Sequence, residues 1–147
     1  MNLDFFGKLV TGILCFYFIG SGIIAAIGLD AKLSRIGLQA INADGKIAFL
    51  LIYSGLMIGI GVAMALIFYF SGSWSQPLVL AVTILISFIT FRIIGSIIVG
   101  YVSKTQLGYM FTEFIEVTVV LLLLIKSSSL KKRHRQPNSR YAHQFQQ

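Results

Sequence analysis

Three ionisable side chains, Arg92, Glu113 and Glu116, lie inside long apolar stretches of this 147-residue sequence. A charge in such a setting costs roughly 2.5–3.5 kcal/mol on membrane-insertion scales, so these groups need one another or a ligand. An arginine fork held between carboxylates satisfies many donors and acceptors where water is scarce. Glu113 and Glu116 are spaced to share one helix face, and Tyr109 and Thr112 extend the same i, i+3, i+4, i+7 stripe. No other set of residues has catalytic or metal-binding form. His134 and His143 both fall in a polar terminal stretch, and no Ser/His/Asp set exists. Gly59-Ile-Gly61 sits within an apolar run without a preceding strand, so it is not a phosphate loop. The chemistry to expect is binding or packing, with no cofactor, no metal and no enzymatic activity.

The elements that must position these residues follow from composition. The chain is 56% hydrophobic and 12% charged, against roughly 25% charged for an average soluble domain. Residues 47–91 form a run of 45 without a formal charge, and no soluble fold of this size has the interior to bury it. A soluble enzyme, a nucleic-acid-binding domain and a disordered chain are thereby excluded as readings of the whole. Four segments can span a bilayer: Leu9–Leu29, Ile47–Phe70, Leu78–Val102 and Leu107–Ile125. At 1.5 Å per residue each is roughly 28–38 Å long, which matches a hydrocarbon core of about 30 Å. No alternating barrel pattern occurs, so helices are the spanning form that satisfies the backbone in lipid. The fold class is therefore all-α, a transmembrane bundle of four helices over residues 1–125. The first segment is longer than a usual signal-peptide core and follows a stretch without net charge, so it reads as a retained span. Cys15 is the only cysteine, which leaves no intrachain disulfide.

Charge then gives orientation and partners. The net charge of +7 is concentrated in residues 126–147, which carry six basic side chains and no acid. That stretch reads as a disordered cytoplasmic tail whose Lys131-Lys-Arg-His-Arg135 cluster is attracted to anionic lipid headgroups. Four spans put both termini on one side, with seven basic residues there against four on the other; the positive-inside rule makes the terminal side cytoplasmic. Of the connectors, Ser71–Pro77 has turn chemistry and an interfacial Trp74. Asp30–Lys46 reads either as a small interfacial helix or as a polar loop.

Counting from the short Ser103–Gln106 turn sets the depths. Arg92 precedes the middle of it by about as many residues as Glu116 follows it, and Glu113 lies one turn closer. Arg92 is thus expected to pair with Glu116, Glu113 or both, near the bilayer midplane. The need is real: the twelve Leu, Ile, Val and Phe of the fourth segment contribute about −4 to −7 kcal/mol of insertion energy, and two glutamates take back about 5–7. Ser21, Tyr53, Ser54 and Ser96 fall at comparable depth on the other spans. Together they outline a buried polar network or a pocket facing the side of the two charged loops. Two readings stand: an internal Arg–Glu clamp that fixes helix register, or a ligand site.

The stretch Tyr53-Ser-Gly-Leu-Met-Ile-Gly-Ile-Gly61, then Arg92-Ile-Ile-Gly95 with Gly100, then Glu113 and Glu116, resembles an uncharacterised family of small four-helix bacterial membrane proteins, a domain of unknown function. The resemblance covers the second to fourth segments. It departs where the family carries a basic residue just before the tyrosine-glycine motif, since Phe49–Ile52 is wholly apolar. The resemblance implies a multi-pass protein of the bacterial inner membrane and brings no activity with it. The function expected is a non-enzymatic accessory or scaffold protein, possible partners being another membrane protein and the lipid bilayer itself, with no nucleic acid. The other reading is a small carrier or a lipid- or quinone-binding protein that uses the Arg–Glu network as its site.

Overall fold

The computed structural model describes residues 2–134, with side chains through Ser129, and among the described residues the regular structure is all helical, with no strands. Helix α1 spans Leu3–Ile27 and is followed by the short α2, Leu29–Arg35. Helix α3, Ala43–Leu50, runs without a break through a π-helical segment, Leu51–Leu56, into α4, Met57–Ser71. Helix α5 is Ser75–Val99 and α6 is Lys104–His134. Four of these units are long and apolar enough to cross a membrane: Leu3–Ile27, Ala43–Ser71, Ser75–Val99 and Lys104–Ser129. The protein is a multi-pass membrane protein built as an all-α bundle of four helices.

Local chemistry explains the boundaries, which start before each apolar run and, in the first and third spans, end before it does. Asn2 caps α1, its side-chain oxygen accepting from the Asp4 and Phe5 amides at 3.2 and 3.4 Å, and Asp4 pairs one turn on with Lys8 at 2.6 Å. An acid there complements the helix dipole. Asn42 caps α3 in the same way, accepting from the Gly45 amide at 2.9 Å, so the second span begins at Ala43 rather than at Ile47. The third span stops at Val99 because Gly100 closes it in the left-handed conformation, at φ 70°. Asp30–Lys46 holds α2 and then a turn, tied by a 2.8 Å ion pair between Lys46 and Asp30. The fourth helix does not end at Ile125. It continues through Lys126 to His134, so the first nine residues of the expected disordered tail are helical. Residues 135–147 lie outside the described residues.

The bundle is assembled by single seams. In α1 the buried residues are Gly7, Thr11, Leu14, Phe18, Gly22 and Ala25, all on one stripe. That stripe faces α4, and the contact is tight because each helix gives the other a glycine. A Cβ on Gly22 would lie 2.8 Å from the Ser54 carbonyl oxygen and 2.6 Å from Ile58 Cγ1; one on Gly61 would lie 3.0 Å from the Cys15 carbonyl oxygen. Small residues permit such approach in lipid. The step from Phe49 to Ser54, both buried, would leave the seam in a regular α-helix; the wider π turn returns Ser54 to it. Leu14, Phe18, Met64, Leu78, Leu85, Val117 and Val120 form the centre of the core. Trp74 joins them. Its ring packs over Gly7, where a Cβ would come within 2.2 Å, and its carbonyl accepts from Thr11 Oγ1 at 3.4 Å. Most other large apolar side chains point outward and face lipid.

Candidate functional site: an arginine clamp beside an open cleft

Helices α5 and α6 are antiparallel neighbours joined by residues 100–103. Ser103 starts α6, its hydroxyl oxygen accepting from the Gln106 amide at 3.2 Å. This fixes the phase of α6, so that Gln106, Tyr109 and Glu113 turn toward Arg92 on α5. Arg92 Nε donates to both carboxylate oxygens of Glu113, at 3.0 and 3.1 Å. Its Nη1 donates to Gln106 Oε1, and the guanidinium carbon sits 5.1 Å from the centre of the Tyr109 ring. The Glu113 side chain is 6% exposed and that of Arg92 29%, so the acid is interior and the base is partly open.

The pairing is therefore with Glu113, not with Glu116. Equal distance from the turn describes Cα atoms, whereas the long arginine side chain carries its charge away from its own Cα. Here the guanidinium is bracketed by Gln106 and Glu113, nearer the connector than the midplane. Gln106 went unrecognised as part of the cluster; its signal was its place two turns before Glu113 on the same helix face.

Glu116 does something different. Its Oε2 is buried and has no hydrogen-bond partner among the described residues. It lines a cleft of about 530 Å³ together with Tyr17, Arg35, Thr105, Gly108, Tyr109 and Thr112. On α6 the cleft residues form the stripe next to the clamp residues, and Tyr109 belongs to both. Tyr17 and Arg35 were not among the expected site residues. Tyr17 lies about 15 Å from the end of α1 at 1.5 Å per residue, and Glu116 about 18 Å from the start of α6, so the two share the deep end. Arg35 and Thr105 belong to the ends of their elements, at the connector side.

Of the remaining expected members, only Thr112 belongs to either group. Thr112 lines the cleft, but its hydroxyl donates to the Gly108 and Tyr109 carbonyls of its own helix, at 3.2 and 2.9 Å. Tyr53 stacks on Phe49 with ring centres 4.4 Å apart, in a second groove formed by the 38–42 turn and α3. Ser54 Oγ is buried at the α1 seam without a hydrogen-bond partner among the described residues. Ser96 is half-buried on α5 and makes no side-chain hydrogen bond among the described residues. Depth alone grouped these residues, and depth says nothing about which way around the helix they point. Among the described residues no group of three or more His, Cys, Asp or Glu side chains is placed to hold a metal ion. No protein-family model, curated protein or solved structure matches this chain.

Proposed function

We propose that this chain is a non-enzymatic accessory or scaffold protein of the bacterial inner membrane, with both termini cytoplasmic, as the basic residues and the resemblance to small four-helix bacterial membrane proteins suggest. The observation that carries the reading is where the Arg92 charge goes. Glu113, Gln106 and Tyr109 of the same chain engage it, so the membrane arginine holds α5 to α6 rather than waiting for a substrate. Such an ion pair specifies packing without any ligand. Support for a membrane partner comes from Gly12, Gly20, Gly59 and Gly95, whose absent side chains would meet nothing within 4 Å. Backbone left open in this way admits a helix of another protein. The decisive experiment replaces the clamp with uncharged groups, Arg92→Leu with Glu113→Gln, in cells lacking the native protein. A folded double variant that restores the deletion phenotype fits the architectural role. A folded one that fails to restore it overturns that role.

A further inference from the structure

The clamp leaves two charged groups over, and both face the same cleft. Glu116 presents a carboxylate whose Oε2 is buried and unpartnered; Arg35 presents a guanidinium that makes no ion pair with any described residue. They line one cavity of about 530 Å³ without pairing with each other. Tyr17 and Tyr109 line the same cleft, with Thr105, Gly108 and Thr112 along the α6 wall. A buried carboxylate without a partner is unfavourable unless something else satisfies it. Among the described residues nothing partners Glu116 Oε2, and the volume beside it is large enough for a small molecule.

We propose that this cleft binds a small zwitterion, its ammonium group on Glu116 and its anionic group toward Arg35. A simple amine would satisfy Glu116 but would meet the positive Arg35 on the way in. A simple anion would meet Arg35 and then face the Glu116 charge. A molecule carrying both charges is complementary to both walls. The phenol rings of Tyr17 and Tyr109 suit the ammonium end, since aromatic rings attract organic cations. A hard metal ion fits poorly, because Glu116 has no second acid beside it free of Arg92. The separation of the two charges in the ligand must match an elongated space, as Thr105 and Glu116 are about 17 Å apart along α6 at 1.5 Å per residue.

The same pair of charges occurs in a phosphatidylethanolamine headgroup, which supplies an ammonium and a phosphate. In a lipid, however, the ammonium is the outermost group, whereas Glu116 is at the deep end of the cleft and Arg35 at the connector side. The arrangement suits a soluble zwitterion that enters ammonium first, and the test separates the two sources.

The full chain, purified in detergent free of lipid, is titrated by calorimetry with ω-amino carboxylates from 5-aminopentanoate to 8-aminooctanoate, and with alkylamines and alkyl carboxylates of the same lengths. The expected result is saturable binding of at least one zwitterion, tighter than either half-matched compound. Glu116→Gln should weaken it at least about tenfold, as loss of a charged hydrogen bond does. Arg35→Gln should remove the advantage of the zwitterion over the alkylamine. Glu116→Gln removes a buried unpaired charge and Arg35 is exposed on a short helix, so both variants should fold, which thermal unfolding checks. Absence of saturable binding by every zwitterion overturns the proposal, as does equal binding by the Glu116→Gln protein. Repeating the titration in nanodiscs of phosphatidylcholine and phosphatidylglycerol, with and without phosphatidylethanolamine, assigns the source. Competition by phosphatidylethanolamine supports the zwitterion site with a lipid headgroup as occupant, and its absence supports the soluble ligand.

Discussion

Arg92 makes three kinds of contact with α6, and each should respond differently to substitution. Arg92→Leu leaves Glu113, an interior acid, without its base. Removing one member of a buried pair costs about 3–5 kcal/mol, and the partial exposure of Arg92 argues for the lower end, about 3 kcal/mol. Adding Glu113→Gln should recover most of that loss, because the amide needs no counter-charge. Thermal unfolding in detergent gives the order; a double variant no more stable than the single one would contradict the pairing. Glu116→Gln belongs to a separate group and should raise the unfolding midpoint on its own, since its buried Oε2 has no partner among the described residues. The presence of an Arg–Glu pair could be reasoned from the sequence by counting residues from the turn. Which glutamate it uses could not, because that depends on the reach of a flexible side chain. Gln106, an ordinary polar residue at a helix start, carried no mark of its role until the Ser103 cap set the phase of α6.

At the scale of elements, the spans themselves were legible, since apolar runs bounded by Asn2, Asn42, Gly72 and Gly100 leave few alternatives in lipid. All four begin earlier than the apolar runs, by three to six residues, whereas the first and third end sooner, at Ile27 and at Val99 before Gly100. The rotation of α3 into α4 was not legible. A π turn at Leu51–Leu56 widens the helix by one residue, and no periodicity rule applied to uniformly apolar sequence reveals it. Tyr53 lies within that turn and stacks on Phe49 away from the clamp, which is why it fell out of the expected network. The same turn places Ser54 against Gly22, so the α1–α4 seam depends on that glycine. Gly22→Ala should push the helices apart, because the obstacle is a backbone carbonyl at 2.8 Å rather than a movable side chain. Overpacking of this kind costs about 1–3 kcal/mol. Gly12→Ala, with nothing within 4 Å, should be neutral. Comparing the thermal midpoints of the two variants tests the seam directly; equal midpoints would refute it.

For the whole molecule, the loops sort into two faces. The start of α1 and the Gly72–Trp74 turn lie together, as the contact of Trp74 with Gly7 shows. The α2 segment, the 36–42 turn and the 100–103 connector belong to the other face, toward which the clamp and the cleft are displaced. If the termini are cytoplasmic, a cysteine at Gln39 should react with an impermeant maleimide added outside intact cells, and one at Gln76 should be protected. Both positions are exposed, and a Cys15→Ser background removes the single native thiol. The reverse labelling pattern would invert the bundle and turn the cleft toward the cytoplasm. The charge count behind that orientation leans most on residues 126–134, which carry four of the seven basic side chains on the terminal side, while residues 135–147 carry two.

The clamp also bears on how the chain is made. During synthesis α5 emerges before α6, and only residues 100–103 separate them. A fourth span carrying two glutamates partitions poorly from the translocon by itself, yet its partner arginine is already close by on the preceding span. Arg92 and Glu113 can neutralise each other while the two segments are still leaving the ribosome, before any contact with α1 or α4 is needed. Helices α5 and α6 would then be released into lipid as one hairpin, and the ion pair would act first as an insertion aid and only afterwards as a brace.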